Sequence, residues 1–339
     1  MTLFDLGPSF SADDDPEIEL VGRHLLSLDP QGTQFATVLR STIDQLLDGE
    51  HTGRYDWQTL HKTEKTHAGT LVEINLQRKF GFASHADDNT IHMDYLIEGI
   101  EVDCKFSQRR YGWMIPPEAL GEVCLVVWAD DHQGRWGAGL FRADRTELTE
   151  SAGKTKKGNR DGKFHLTQQH HHLVRWLWQD RPLKENLLLH LDPAVREAIM
   201  TAAPGKRDSG QARVNELFRR VHRRQIDREV IRTLGRQHDY MARVREDTKG
   251  GGRARTKLRA EGIIILGPYR NHQQIAVQLG GPYPRAGEFV AFRVRRARPE
   301  DNDAYQAEIG GAFWVAAAPG EQTTEDAPVL PAAQGTVDG

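Results

Sequence analysis

Several features that define common protein classes are missing from this chain of 339 residues. Its two cysteines, Cys104 and Cys124, are too few for a disulfide framework and lack the CxxC spacing of a zinc site, so reduced thiols are predicted. No run of about 18 apolar residues is present, which argues against a membrane span. The N-terminal residues lack the basic and apolar blocks of a secretory signal. A cytoplasmic protein without a membrane anchor is therefore expected.

Motifs for nucleotide and zinc chemistry are incomplete. Gly153-Lys154-Thr155 matches the end of a phosphate-binding P-loop, but Leu148 stands where that loop needs its first glycine. His170-His171-His172 are adjacent in sequence, and on a helix three adjacent side chains point in different directions and cannot share one zinc ion. Neither an NTPase nor a zinc site is predicted, and no organic cofactor is expected.

The net charge of −3 is divided unevenly along the chain. Residues 206–259 hold 17 Lys and Arg against 7 Asp and Glu, a local excess of +10 that leaves −13 for the rest. A basic segment within an acidic protein is typical of a surface that binds a polyanion, although a solvated helix face can have the same composition. Nucleic acid is therefore the predicted partner.

The apolar pattern of the first half predicts helices followed by strands. Two amphipathic helices are indicated between residues 19 and 47, and a third is expected to begin near Thr70 and to carry Glu73 in its first turn. Strands are predicted in MDYLIEGIEVDCKFS, around a turn at Glu98-Gly99, and in EVCLVVWAD and RWGAGLFRA. The fold class is therefore α/β (α+β).

Composition also predicts the domain boundaries. Residues 151–163 are rich in Gly, Ser, Thr and Lys without large apolar residues, which indicates a linker. We therefore predict one domain at 18–163 and a second at 164–318, with Trp176 and Trp178 packed between them. The polar or Pro/Ala-rich ends, 1–17 and 319–339, are predicted to be disordered.

The second domain has the pattern of a helix-turn-helix protein. Helical segments are followed by HDYMARVRED, three glycines, RARTKLRAE and the β-branched EGIIILG. RARTKLRAE is the first candidate for the recognition helix, and HDYMARVRED is the alternative. Arginines that bind guanine in a bidentate way would suit a GC-rich site. The candidate DNA-binding residues are Arg253, Arg255, Thr256, Lys257 and Arg259 in the first segment and Arg243 and Arg245 in the second.

The stretch GIEVDCKF places two candidate catalytic residues on a predicted strand. Asp103 and Lys105 are two residues apart, so both point to the same side of the strand, where a simple surface ion pair is one interpretation. Asp94 precedes this strand and Glu73 lies on the preceding helix, so three acids and a lysine could converge. Two carboxylates suit Mg²⁺, and the lysine could then orient or deprotonate a water that attacks phosphorus.

The predicted site therefore has defined roles. Asp94 and Asp103 are the expected Mg²⁺ ligands, Glu73 assists them, and Lys105 activates the water. Three further acids rank lower: Asp87, Asp88 and Glu101. Glu101 is the best substitute among them because it shares the face of Asp103. A charged group ahead of the helix either contacts DNA phosphates or forms a solvated turn; it consists of Lys62, Glu64 and Lys65.

The set Glu73, Asp94, Asp103 and Lys105 matches the PD-(D/E)xK pattern of many nucleases. Longer segments resemble the NaeI-type restriction endonucleases over residues 20–315, namely LHKTEKTHAGTLVEINLQRKF, GIEVDCKFS, YGWMIPPEAL, CLVVWADD and RAEGIIILG. The resemblance implies an endonuclease domain with a mixed sheet flanked by helices. It also implies a C-terminal winged helix-turn-helix domain similar to that of catabolite activator protein.

The same resemblance implies a function. NaeI-type enzymes are Mg²⁺-dependent type IIE restriction endonucleases that act as homodimers on double-stranded DNA. They cleave one copy of a palindromic site while a second copy serves as effector, and a GC-rich, GCCGGC-like palindrome is expected here. A cognate DNA methyltransferase is the expected functional partner. Two alternatives remain from the residues alone: a helix-turn-helix regulator without catalysis, and a DNA-repair or recombination nuclease.

Overall fold

The computed structural model describes residues 15–85, 87–150, 162–205, 209–246, 252–301, 305–321 and 323–335. Most of the predicted linker and of the predicted N-terminal disordered end lies outside these ranges, as do residues 336–339. The described helices are α1 (Pro16–Leu28), α2 (Thr33–Leu47), α3 (Gly49–Thr52), α4 (Lys62–Phe80), α5 (Leu187–His190), α6 (Pro193–Met200), α7 (Ser209–Arg220), α8 (Arg228–Gly235), α9 (Ala254–Arg259) and α10 (Arg270–Gln278).

The described strands are β1 (Tyr95–Ile97), β2 (Ile100–Ser107), β3 (Trp113–Ile115), β4 (Val123–Asp130), β5 (Arg135–Arg142), β6 (Thr149–Glu150), β7 (Phe164–Leu166), β8 (Arg175–Pro182), β9 (Gln225–Asp227), β10 (Ile263–Leu266), β11 (Glu288–Arg296), β12 (Gln306–Ile309) and β13 (Ala312–Ala316). Strands β1 to β8 follow α4 with no α-helix between them in the described ranges, and β9 to β13 are interspersed with the helices of the second half of the chain. The predicted mixed α/β class is confirmed.

The described residues form two compact units. The first unit contains the residues up to Leu46 together with Asp56–Asn186, and the second contains Leu47–Tyr55 and the residues from Leu187 onward. The boundary therefore lies after Asn186 and not at residue 163 as the linker composition predicted. The reason is that β8 pairs with β5 and completes the sheet of the first unit, a contact that composition does not reveal.

The first unit is built on a five-stranded sheet in the order β1-β2-β4-β5-β8. Strands β2 and β4 are parallel, and the other neighbours are antiparallel. All residues of β4 except the last are buried, as its continuously apolar sequence predicted. A second, three-stranded sheet has the order β3-β7-β6.

Helices α1 and α2 begin where aspartates cap them. The Asp15 carboxylate accepts hydrogen bonds from the backbone amides of Glu17 and Ile18. The Asp29 carboxylate accepts from the first residues of α2, including the amide of Phe35 at 2.9 Å. Such caps satisfy amides that have no partner inside the helix. The two amphipathic helices predicted on either side of residue 30 are confirmed.

The predicted interdomain packing of the two tryptophans is wrong. Trp178 is buried within the first unit, where its ring centroid lies 4.5 Å from that of Phe35. Trp176 is half-buried and its ring lies 6.2 Å from that of Trp113. Both tryptophans belong to β8, where a register shift places Trp178 opposite Ala138 and Trp176 opposite Gly139 of β5, so they contact different neighbours within the first unit.

The second unit combines an antiparallel sheet with helices on both faces. The strand order is β10-β11-β13-β12, and β9 also pairs with β11. Helices α7, α8 and α9 share one apolar core with β9 and β10, and α10 packs on a second core. Segment Leu47–Tyr55 joins this unit because Glu50 accepts a hydrogen bond of 2.7 Å from Arg232 of α8.

The predicted disorder of the C-terminal end does not hold for residues 319–321 and 323–335. Ala327 is buried, and its amide donates to the carbonyl of Arg259 at 2.8 Å. Farther along, the side chain of Asn271 donates to the carbonyl of Ala332 at 2.7 Å. These contacts use the backbone, so a segment with few large apolar residues still packs. No helix within the described ranges is long and apolar enough to cross a membrane.

Candidate active site

A tight hairpin sets the position of Asp94. Strands β1 and β2 pair in antiparallel fashion with Tyr95 opposite Val102. The turn between them contains Glu98 and Gly99 at φ angles of 52° and 81°, a left-handed conformation that glycine adopts easily. The predicted pair of short strands is confirmed. Because Asp94 directly precedes β1, the hairpin brings it beside the middle of β2.

Asp94, Asp103 and Lys105 meet on one face of the hairpin. The Nζ of Lys105 donates to Oδ1 of Asp103 at 2.6 Å and lies 3.7 Å from Oδ2 of Asp94. The same Asp94 oxygen accepts a 2.7 Å hydrogen bond from the backbone amide of Cys104. The geometry therefore brings together three of the four residues predicted for the site, with the carboxylate of Asp94 held by the neighbouring strand.

Glu73 reaches this group from α4, which begins earlier than predicted. The helix starts at Lys62 because Glu64 accepts a 2.8 Å hydrogen bond from the amide of His61 and closes a capping box. Thr70 therefore lies inside the helix, and Glu73 is not in its first turn. The hydroxyl of the buried Tyr95 donates to the carbonyl of Glu73 at 2.9 Å, which ties the helix to the hairpin.

Burial and like charge shift the ionisation of the carboxyl groups. Burial and then the neighbouring Asp94 raise the pKa of Glu73 to about 7, against the opposing effect of Lys105. Burial raises the pKa of Asp103 to about 6 even though Lys105 favours its ionised form. Glu73 therefore responds electrostatically to all three of the other residues, which supports treating the four as one group.

Lys105 is an ammonium in this setting. Burial acts to lower its pKa, but Asp103 and Asp94 together outweigh burial and raise the pKa. The two cysteines are free and buried, and Sγ of Cys124 lies 3.8 Å from Oδ2 of Asp103. Burial raises the pKa of both thiols, which keeps them neutral beside the carboxylates.

The donor set suits a hard divalent cation. In the part of the chain that the structure describes, no three His, Cys, Asp or Glu side chains form a ready-made metal cluster. Mg²⁺ needs only one or two protein carboxylates because it keeps several waters and binds substrate phosphate. Asp94 and Asp103 meet this requirement, and the two buried cysteines beside them are neutral thiols.

The charged residues at the start of α4 serve local structure. Glu64 caps the helix, and the Nζ of Lys65 donates to the carbonyl of Gln58 at 3.2 Å. Lys62 is exposed. Of the two interpretations of this segment, the contacts favour the charged turn for Glu64 and Lys65.

The candidate DNA-binding side chains of the second unit differ in how far they are exposed to solvent. Lys257 and Arg259 on α9 are exposed, Arg253 is partly exposed before it, and the Arg245 side chain is 64% exposed. The remaining candidates are partly exposed, as Arg253 is: Arg255, Thr256 and Arg243.

Two of the arginines are directed into the protein. Arg255 donates through Nε to the carbonyl of Ile265 at 3.1 Å, and burial lowers its pKa. Arg243 donates to Gln237 at 2.5 Å. These two arginines are therefore less suited to contact bases than the sequence suggested, since their guanidinium groups are engaged within the unit.

Residues that sequence reasoning missed also hold the site together. Tyr95 carries no chemical signal in the sequence, yet its hydroxyl joins Glu73 to the strand before Asp103. Glu101 was ranked only as a substitute ligand, but its carboxylate binds the chain just ahead of Asp94. Only the tertiary structure reveals these contacts, because they depend on hairpin register and helix packing.

Comparison with known proteins finds relatives along almost the whole chain. A family model described as "Restriction endonuclease NaeI" matches residues 19–325. A "Type II restriction enzyme NaeI" from Lentzea aerocolonigenes is 48% identical over 322 residues, which cover 94% of this chain and 96% of that protein.

The class of protein defined by this site and these matches is the restriction endonucleases, which hydrolyse phosphodiester bonds within DNA. Within that class the chain belongs to the NaeI restriction endonuclease family. The resemblance of the sequence segments is thereby confirmed. A regulator without catalysis and a repair nuclease, the two alternatives, do not hold.

Removing the charge of Glu73 is expected to stabilise the metal-free protein at alkaline pH. The pKa of Glu73 is about 7 in the folded protein against an ordinary value of 4.5. The folded state therefore binds the proton more tightly, and the stability this provides is lost as the pH rises through 7. After discounting for partial exposure, Glu73→Gln should raise the free energy of unfolding by about 1 kcal/mol at pH 8.

Urea unfolding in EDTA, at pH 8 and pH 5, measures this difference. The gain from Glu73→Gln should shrink at pH 5, where the wild-type carboxyl is largely protonated. The exposed Glu118→Gln serves as the control and should show no pH-dependent gain. Equal stability of wild type and Glu73→Gln at pH 8 would contradict the assigned electrostatics.

Proposed function

We propose that this protein is a Mg²⁺-dependent type IIE restriction endonuclease. It cleaves double-stranded DNA at a palindromic, GC-rich site of the GCCGGC type and is stimulated by a second copy of that site. The observation that carries the proposal is the convergence of Asp94, Asp103 and Lys105 on one hairpin. The charges of these three residues also affect the pKa of Glu73 on α4.

In the proposed mechanism Asp94 and Asp103 hold Mg²⁺, and Glu73 contributes a third carboxylate. Bound Mg²⁺ supplies Lewis acidity to the scissile phosphate and to the departing oxygen. Asp94 keeps its orientation through the amide of Cys104, and Asp103 keeps its orientation through Lys105. Both ligands are therefore arranged before substrate arrives, which favours catalysis.

Lys105 acts as an ammonium and orients the attacking water. Its raised pKa makes it a poor general base, so orientation rather than proton abstraction is the role it fits. The positive charge also stabilises negative charge that develops on the phosphate oxygens. Water adds to phosphorus and releases a proton to the solvent while the bond to the 3′-oxygen breaks and that oxygen takes up a proton from the solvent, which leaves 5′-phosphate and 3′-hydroxyl ends.

For the second unit we propose a winged helix-turn-helix DNA-binding domain. Its order is helix α7, strand β9, helix α8, the 3₁₀ turn Tyr240–Arg243, helix α9, strand β10, helix α10 and strand β11, with β11 paired to both β9 and β10. Between the end of α8 at Gly235 and the 3₁₀ turn Tyr240–Arg243 lie four residues. A connection of that length is typical of a helix-turn-helix.

The proposed reading surface then includes both candidate segments. The 3₁₀ turn Tyr240–Arg243 continues the motif, with Arg245 exposed just after it, and α9 with Arg253, Lys257 and Arg259 completes the surface. The excess of positive charge in residues 206–259 supports phosphate binding by this unit. A homodimer matches the symmetry of a palindromic site, and a methyltransferase would protect host DNA.

Digestion of unmethylated plasmids tests the function. Plasmids with no, one or two copies of GCCGGC are incubated with the protein and Mg²⁺, and the fragment ends are sequenced. Cleavage at the palindrome is expected, slow on the one-site plasmid and fast on the two-site plasmid. A short duplex that contains the site should accelerate cleavage of the one-site plasmid.

Each element of the proposal has its own control. Replacing Mg²⁺ with EDTA should stop cleavage, and a duplex of scrambled sequence should not stimulate it. If the one-site plasmid is cut at full rate and added duplex has no effect, the effector role is wrong. Fragments that share a different palindrome would overturn only the GCCGGC assignment.

A further inference from the structure

Glu101 lies two residues before Asp103 on β2 and shares its face of the strand. Its Oε2 atom accepts hydrogen bonds from two consecutive backbone amides, that of His92 at 3.0 Å and that of Met93 at 2.9 Å. Met93 is the residue immediately before Asp94. The carboxylate of Glu101 is thus bound to the chain that leads into Asp94.

Asp94 needs support on this side because strand pairing starts after it. β1 begins at Tyr95, which is held by pairing with Val102 and by the hydrogen bond of its hydroxyl to Glu73. On the other side a loop runs from the end of α4 to Met93. The start of this loop is joined to β1 by a 2.8 Å hydrogen bond from the amide of Leu96 to the carbonyl of Ala83, and closer to Asp94 the hydrogen bonds from Thr90 to Asp88 at 2.8 and 2.9 Å are local. Glu101 is therefore the side chain that joins the end of the loop to β2.

We propose that Glu101 is a positioning residue for Asp94 and not a metal ligand. The inference rests on the proposed function, in which Asp94 holds Mg²⁺. If Glu101 turned toward a metal, the amides of His92 and Met93 would lose their acceptor. Hydrogen bonds from amides to an ionised carboxylate are among the stronger ones in proteins, so the observed arrangement is favoured.

The chemistry of the side chain separates positioning from ligation. Glutamine keeps an oxygen at the same place and can still accept both amide hydrogen bonds, but it loses the negative charge that makes a carboxylate a stronger ligand for a divalent metal than an amide. Alanine removes both properties. A positioning role is therefore rescued by glutamine, whereas a ligand role is not.

The first measurement is the cleavage rate of Glu101→Ala and Glu101→Gln over a range of Mg²⁺ concentrations. Glu101→Ala should lose about 10- to 100-fold in rate, or need that much more Mg²⁺, as is typical when a group that orients a metal ligand is removed. Glu101→Gln should stay within about threefold of wild type, because the orienting bonds remain. The matched control is Asp88→Ala, which removes an exposed carboxylate with two hydrogen bonds from the same loop and should leave the rate unchanged.

The second measurement follows the amide of Met93 directly. The chain has five methionines, so labelling methionine alone with ¹⁵N yields few backbone signals. Hydrogen exchange of the Met93 amide should accelerate in Glu101→Ala and stay slow in Glu101→Gln. This readout also shows whether Glu101→Ala remains folded, since the other methionine signals should not move.

The outcomes are distinct. Equal loss of activity in the alanine and glutamine variants would make Glu101 a ligand and overturn the proposal. Unchanged activity in both would overturn it as well. Failure of wild type to cleave with Mg²⁺ would instead reject the proposed function, and in that case the exchange rate of the Met93 amide still decides whether Glu101 holds the chain before Asp94.

Discussion

Asp103→Asn protein is expected to bind its DNA site and leave it uncut, with cleavage slower by about 10³-fold or more, equivalent to about 4 kcal/mol of transition-state stabilisation. Asparagine has the shape of aspartate but lacks the negative charge through which a carboxylate binds Mg²⁺ strongly. The side chain also loses its ion pair with Lys105, whose Nζ lies 2.6 Å from Oδ1 in the native site. Binding should persist because the proposed DNA-binding residues, such as Arg253, Lys257 and Arg259, are unchanged.

Single-turnover cleavage and a binding assay in Ca²⁺ separate the two effects. The control is Asp88→Asn, an exposed acid of the loop before Asp94, which should cleave normally. Unfolding midpoints should be measured for both variants because Asp103 is buried. Cleavage by Asp103→Asn at the wild-type rate would overturn the assignment of the active site.

The combined replacement of Arg253, Lys257 and Arg259 by alanine is expected to weaken DNA binding by about 10²-fold or more at moderate salt, because three phosphate contacts would be lost. The slope of log K against log[salt] should become shallower by about 2 to 3, since fewer counterions are released. All three are among the candidates named from the sequence, and Arg255 is left out because its Nε is bound to the carbonyl of Ile265.

Arginines with acidic partners provide the matched control. Arg220 is paired with Glu216, and Arg296 and Arg298 lie 3.5 and 3.7 Å from Glu325 and Glu321. Replacing these three by alanine removes the same positive charge but should change the salt slope little, because each charge is already compensated. An equal effect of both triple variants would show that affinity depends on net charge and not on the α9 surface.

The hairpin of the active site could be predicted because its signals are local. Alternation along GIEVDCKF places Asp103 and Lys105 on one face, and Glu98-Gly99 allows the turn that returns the chain past Asp94. The start of α4 was missed although it is also local. Thr70 looked like a cap, but the capping box of His61 and Glu64 lies two turns earlier and takes precedence.

Contacts between distant segments were not predictable in the same way. The pairing of β8 with β5 places the unit boundary after Asn186 and not at residue 163, although residues 151–163, which lie between these two strands in the chain, have the composition of a linker. Likewise, residues 323–335 have little apolar periodicity, but Ala327 packs through a backbone hydrogen bond to Arg259. Neither contact is indicated by the spacing of apolar residues in the sequence.

The sequence by itself determined the family and the mixed α/β class, and it predicted the set of Glu73, Asp94, Asp103 and Lys105 from residue identity, strand periodicity and the resemblance to the family. Only the tertiary structure decided how those groups ionise and what holds them. Burial and neighbouring charge raise the pKa of Glu73 to about 7, and Glu101 is bound to the amides before Asp94. The physical reason is that desolvation and hydrogen bonding depend on distances between segments far apart in the chain, which exist only once the sheet and helix have packed.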